Sequence, residues 1–103
     1  MQIVPIPGCR LFGQIIKKEI QLSRKSRGTF FRSGAKERGR AKWAHTGYKG
    51  WITLERTTGE VVTAEIRSRS EDDDHWKILH AFVGWLDRHF GAEIEAIHIH
   101  YRK

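Results

Sequence analysis

The sequence predicts an α+β fold: a single small domain with a mixed or antiparallel sheet of four to five strands packed against helices. Three observations lead to this prediction. Apolar side chains form a helical stripe over residues 72–90, two β-rich runs flank a glycine turn within residues 51–68, and alternation predicts a strand at 94–102. A chain of 103 residues has room for one core, so we expect the domain to span residues 1–103.

An amphipathic helix is predicted near the N-terminus, over residues 9–22. Apolar side chains recur there at helical spacing, namely Leu11, Phe12, Ile15, Ile16 and Ile20. A strand over residues 15–22 is the alternative, because apolar and polar residues also alternate there, although imperfectly.

Residues 23–39 form a basic segment. The sequence is compatible with either a mobile loop or a hairpin there. Short strands are predicted at residues 29–32 and 40–45, and the polar stretch SGAKERG separates them. From Arg24 to Lys42 the chain carries eight Lys/Arg residues and one acid, Glu37.

Residues 51–68 are predicted to form a β-hairpin, with Gly59 supplying the positive φ of its turn. Alternation by two places one set of side chains toward the helices. That set is Ile52, Leu54, Val62, Ala64 and Ile66. The opposite face then carries Trp51, Thr53, Val61, Thr63, Glu65 and Arg67.

The helix over residues 72–90 begins after a run of acidic residues that suits the positive end of a helix dipole. Gly91 stands where a left-handed residue often ends a helix. The apolar arc of this helix is wide, so we expect it to be covered by the sheet and by a second layer. Either the N-terminal segment or a second subunit would supply that layer.

The last predicted strand, residues 94–102, places Ile97, Ile99 and Tyr101 toward the helix. Ala96, His98 and His100 then lie on the opposite face with the polar side of the hairpin.

Composition narrows the class of protein. Cys9 is the only cysteine, which excludes an internal disulfide and a zinc site built from several thiolates. The apolar opening is interrupted by prolines and has no positively charged start, unlike a signal peptide, and no stretch is long enough for a membrane span. We expect a cytoplasmic protein with no membrane partner, no metal and no cofactor.

Charge is segregated along the chain, which fits a polyanion-binding face or an oligomer in which unlike faces meet; the alternative is a fold that intermixes the two halves in space. Residues 1–50 hold twelve Lys/Arg and two acids, a net +10, and residues 51–103 hold seven and ten, a net −3, which together give the net charge of +7. The basic part leads into aromatic residues of the kind on which unpaired bases stack. We therefore predict a binding protein for single-stranded RNA or DNA. Its candidate binding residues are Arg32, Lys36, Arg38, Arg40, Lys42, Trp43, His45, Tyr48, Lys49 and Trp51.

The rings within these candidates have an alternative role as core. Alternation places Trp43 with Ala41 and His45 on one side of its strand, and it places Trp51 opposite Ile52. At least one of the two tryptophans therefore faces away from the main core.

Two other functions remain open at this stage. The wide apolar arc and the acidic second half fit a protein-interaction or homo-oligomeric module without a nucleic-acid role. A metal-independent ribonuclease would use His98 and His100 as acid and base near Arg67. The same two histidines have the spacing of metal ligands, with Glu65 as the one nearby carboxylate, but paired histidines also occur in strands by chance.

Overall fold

A computed structural model describes residues 1–35, 37–68 and 74–100, with six strands and two α-helices. In chain order these are β1 (Gln2–Pro5), α1 (Leu11–Arg24), β2 (Phe30–Arg32), β3 (Arg40–His45), β4 (Trp51–Arg56), β5 (Val62–Arg67), α2 (Asp74–Phe90) and β6 (Ile94–His98). Neither helix is long and apolar enough, over these residues, to cross a membrane.

The strands form one antiparallel sheet in the order β2-β3-β4-β5-β1-β6. Strands β2 to β5 are consecutive neighbours, so they make a meander. Strands β5 and β6 run in the same direction, with β1 antiparallel between them, and α2 connects them. This is the arrangement of a split β-α-β unit.

The prediction of four to five strands was wrong, because the sheet has six and a strand precedes the first helix. The missed strand is β1, which is only four residues long and ends at Pro5, so it shows no clear alternation. It forms because it pairs on both sides, with β5 at Gln2 and Ile3 and with β6 over its whole length. Tertiary pairing and not local propensity therefore determines this strand.

Both helices lie on the same face of the sheet and share one apolar core with it. From the helices the core takes Leu11, Phe12, Ile15, Ile78, Leu79, Phe82, Trp85, Leu86 and Phe90. From the strands it takes Ile3, Phe30, Trp43, Ile52, Leu54, Val62, Ala64 and Ile66. Of the two candidates for the second layer against the wide arc of α2, the N-terminal helix α1 lies on the same face of the sheet and contributes to the same core.

The other predicted elements agree with the structure except at their ends. Helix α1 lies two residues further along than residues 9–22, and the hairpin lies within residues 51–68. Residues 72–73 and 101–102, at the ends of the predicted last helix and last strand, lie outside the described residues. Residues 99–100 are described but have left the strand.

Two glycines were assigned to positive φ, and the structure supports one of them. Gly59 has a φ of 71° in the short 3₁₀ turn Thr58–Glu60 between β4 and β5. The prediction for Gly91 was wrong, since its φ is not positive. The reason for a glycine at position 91 is steric instead, because a Cβ there would lie 2.7 Å from the carbonyl oxygen of Asp87.

Candidate nucleic-acid interface

The face of the sheet opposite the helices, called the open face below, has no helix packed on it within the described parts of the chain. Its side chains are exposed or half-buried. On the three strands β3 to β5 they are Arg40, Lys42, Ala44, Trp51, Thr53, Glu55, Thr63, Glu65 and Arg67. The faces that alternation predicted for the hairpin are therefore confirmed.

Strand register arranges the open face in three cross-strand rows. The first row contains Phe31, Ala44, Trp51 and Arg67. The second contains Lys42, Thr53 and Glu65. The third contains Arg40, Glu55, Thr63, Gln2 and His98. Aromatic rings occupy one row and cations occur in all three, so the two residue types predicted for nucleic-acid binding occur together on this face.

Trp51 and Phe31 are the two aromatic side chains of the first row. Phe31 is 43% exposed, and the small Ala44 separates it from Trp51, so the two backbones lie about 10 Å apart at two strand spacings. The Nζ atom of Lys42 lies 4.9 Å from the centroid of the Trp51 ring. The arrangement provides two flat apolar surfaces, one of them beside a cation.

Trp43 does not belong to this face, and its assignment as a stacking residue is not supported by its position. The ring is 1% exposed, on the helix side of β3. Its centroid lies 5.3 Å from that of Trp85 and 6.1 Å from that of Phe82, in edge-to-face geometry. Alternation turns Trp43 inward and Trp51 outward, because the two residues occupy opposite phases of neighbouring strands.

The side chains of His45 and Tyr48 also make contacts within the protein. Their rings stack with centroids 4.6 Å apart, and the edge of Phe30 packs against the imidazole at 4.8 Å. The backbone N–H of Gly47 donates to Nδ1 of His45 at 2.9 Å. Burial lowers the pKa of His45, which favours the neutral ring that accepts this hydrogen bond. The pair shapes the turn between β3 and β4.

The remaining predicted cations are distributed around the basic edge of the sheet. Arg32 is exposed on β2, in register with Trp43 and so on the helix side. Arg38 and Lys49 are exposed in the connections that precede and follow β3. Lys36 lies outside the described residues. Among the described members of the predicted phosphate-binding set, Arg40 and Lys42 lie on the open face itself.

His98 of the ribonuclease alternative is not brought together with Arg67. His98 is level with Thr63, so Arg67 lies roughly 13 Å further along the sheet and about 10 Å across it. The Arg67 guanidinium forms an ion pair with Glu65. Within residues 1–35, 37–68 and 74–100, no group of three or more His, Cys, Asp or Glu side chains is placed to hold a metal ion.

Two parts of the candidate site were not predicted. Phe31 was placed in a strand but not in the site, although two adjacent phenylalanines in a strand must face opposite sides of it. The second part is a recess of about 560 Å³ that opens on the face beside the Trp51 row. On the open face it is lined by the polar residues Gln2, Arg40, Thr53, Glu55, Thr63 and Glu65. The rest of its lining comes from the chain terminus, the other side of β5, the start of α2 and the residues after β6, namely Met1, Ala64, Ile66, His75, Trp76, Leu79, Ile99 and His100.

Comparison with protein-family models, curated proteins and solved structures found no match for this chain. A functional assignment therefore depends on the residues and geometry of the chain itself.

Proposed function

We propose that the protein is a non-enzymatic binding protein for single-stranded nucleic acid and that the strand lies across the open face. The observation that carries the proposal is the row in which Phe31 and Trp51 flank Ala44, with Lys42 beside the Trp51 ring. An uncovered antiparallel sheet with aromatic rings is a recurrent platform for unpaired bases.

Base stacking is the first contribution. Phe31 is 43% exposed and Trp51 is half-buried, and the backbone spacing of about 10 Å allows each to hold a separate base. Aromatic stacking contributes about 1–3 kcal/mol per base and tolerates different sequences. A duplex hides its base faces, so this contribution favours a single strand.

Phosphate contact is the second contribution. Lys42 and Arg40 alternate along β3, and Arg38 precedes them in the adjoining turn, so the three cations form a line that leads away from the aromatic row along β3. A small groove between the β2–β3 connection and Thr53 leads from this line onto the open face. Cations along such a groove would contact successive phosphates and release counterions.

The test is fluorescence anisotropy with a labelled single-stranded RNA, a matched single-stranded DNA and a DNA duplex, each of about 12 nucleotides, over a range of salt concentrations. We expect single strands to bind more tightly than the duplex, with an affinity that falls as salt rises. Replacing both Arg40 and Lys42 by glutamate should weaken binding at least tenfold and reduce the salt dependence by about 0.7 per lost contact.

Lys17→Glu/Arg24→Glu is the matched control, because both residues are exposed on α1 and the change in net charge is the same. An equal loss of affinity in this control, or no binding by the wild type at low salt, would refute the proposal. A doubled mass in light scattering together with no binding would favour the homo-oligomeric alternative.

A further inference from the structure

We propose that the recess beside Trp51 selects the bound base, and that the carboxylates of Glu55 and Glu65 prefer guanine. This inference rests on the proposed function, since it concerns the base held next to the Trp51 ring. It adds a specificity determinant to a face that would otherwise stack any base.

Glu55 and Glu65 lie close together because of the register of the β4–β5 hairpin. Glu55 is opposite Thr63 and Glu65 is opposite Thr53, so the two acids are diagonal neighbours about 7–8 Å apart at their backbones. The two threonines occupy the other diagonal. Four polar side chains, alternately acceptor-only and hydroxyl, therefore form the floor of the recess.

This floor lies within reach of a base held by Trp51. Thr53 follows Trp51 by two residues on β4, a distance of about 7 Å along the same face, and Glu65 is opposite Thr53. The ion pair with Arg67, the cross-strand neighbour of Trp51, restrains the Glu65 carboxylate on this side. A base stacked on the indole would therefore direct an edge toward this carboxylate, whose side chain is 53% exposed.

The recess carries both charges. Arg40 lines it opposite Glu55, whereas the two carboxylates, which repel phosphates, lie on β4 and β5. A strand that follows β3 with its phosphates would place the base on Trp51 toward β5 and the acids. Glu55 and Glu65 are then explained as contacts to bases and not to the backbone of the ligand.

Carboxylates distinguish the bases by their hydrogen-bond donors. An ionised carboxylate only accepts, and it pairs best with two adjacent donors. Guanine presents N1–H and the N2 amino group side by side. Uracil and thymine present one N–H between two carbonyl oxygens, which a carboxylate repels, and adenine and cytosine offer one amino group beside an unprotonated nitrogen. The expected order is guanine first and uracil or thymine last.

The test uses labelled uridine-rich RNA probes of about eight nucleotides with one central base changed to guanine, inosine, adenine or cytosine. The guanine probe should bind about tenfold more tightly than the all-uridine probe. Inosine, which lacks the N2 amino group, should bind with intermediate affinity. Equal affinity for all five probes would overturn the inference.

The substitutions Glu55→Gln and Glu65→Gln, alone and together, identify the residues responsible. Removing negative charge should strengthen binding of the all-uridine probe while the advantage of guanine falls to threefold or less. Asp87→Asn is the matched control, since this exposed acid lies on α2 in the opposite layer. An undiminished preference for guanine in the double variant would overturn the assignment to these carboxylates.

Failure of the inference differs from failure of the proposed function. Binding of every probe with the same affinity removes the base preference and retains a single-strand binding face. Absence of binding to any probe removes the proposed function itself.

Discussion

The side-chain ammonium of Lys42 lies 4.9 Å from the centre of the Trp51 ring, across the β3–β4 pair of the open face. Such a cation is attracted by the negative face of the indole, with about 0.5–1 kcal/mol at an exposed site. A stacking base would compete for the same ring. In the proposed complex, the displaced ammonium would stay attached to β3 by its flexible stem and would be able to reach a neighbouring phosphate.

Trp51 and Trp43 should respond in opposite ways to substitution by alanine. Trp51→Ala removes a half-exposed ring, so single-strand affinity should fall about fivefold to 100-fold while stability changes by less than about 1 kcal/mol. Trp43→Ala removes a ring that is 1% exposed and should lower the free energy of unfolding by about 3–5 kcal/mol. Anisotropy and urea unfolding measure the two quantities.

Trp51→Phe is the conservative control, because it retains a stacking surface and should keep most of the affinity. The assignment of Trp51 to the site would be wrong if Trp51→Ala bound single strands like the wild type.

Strand alternation was enough to predict which face each hairpin residue occupies. Ile52 and Trp51 are neighbours in sequence, so one of them must be buried when the other faces outward, and the apolar partners of Ile52 decide which. Helical spacing likewise predicted the buried side of α2 from Ile78 to Phe90, but Trp76, which falls on the same stripe, is 38% exposed.

Other features depend on which strands meet, and a single sequence does not contain that information. The recess exists because Glu55 and Glu65 become diagonal neighbours in one particular hairpin register. Strand β1 forms because it pairs with β5 on one side and with β6 on the other. Similarly, the inward position of Trp43 follows from its pairing with Ile52, and the sequence gives no register for that pair.

Stability should fall as the pH falls from 7.5 to 5.5. Burial lowers the pKa of His45, and burial followed by repulsion from Lys18 and Arg88 lowers the pKa of His89. An unfolded histidine takes up its proton near pH 6.5, whereas these folded histidines resist protonation to lower pH. The unfolded state then binds more protons, so stability rises with pH in this window and levels off above it.

Urea unfolding at several pH values measures this dependence. The double variant His45→Gln/His89→Gln should show a smaller fall in the urea midpoint than the wild type. His98→Gln is the control, because His98 is exposed on the edge strand β6. An unchanged fall in the double variant would contradict the prediction.

Glu19 should stabilise the edge of the sheet. The side chain is 5% exposed, and its Oε1 accepts hydrogen bonds from the Ser23 hydroxyl at 3.0 Å and the Arg32 backbone N–H at 3.2 Å. Glu19→Ala leaves both donors without this acceptor and should cost about 1–3 kcal/mol of unfolding free energy. Hydrogen exchange of the Arg32 amide should accelerate in the same variant.

Two further variants separate the two hydrogen bonds of Glu19. Glu19→Gln keeps an acceptor oxygen and should cost less than the alanine variant. Ser23→Ala removes one donor only, so the Arg32 amide should keep its protection. If Glu19→Ala left the exchange of that amide unchanged, the carboxylate would not be restraining β2.

Gly50 should be the glycine least tolerant of alanine, and its substitution should also affect the candidate site. Its φ is 137°, and a Cβ there would lie 2.6 Å from the Arg67 carbonyl oxygen and 2.7 Å from Cδ1 of Ile78. Gly50→Ala should therefore cost at least about 1–3 kcal/mol in urea unfolding. Because Gly50 directly precedes Trp51, the backbone shift should also weaken single-strand binding.

Gly84→Ala is the control, because Gly84 is exposed in α2 and has open space at its Cβ position. This substitution should stabilise the protein by about 0.5–1 kcal/mol and leave binding unchanged. Equal stability of the two variants would contradict the close packing of β4 against β5 and α2.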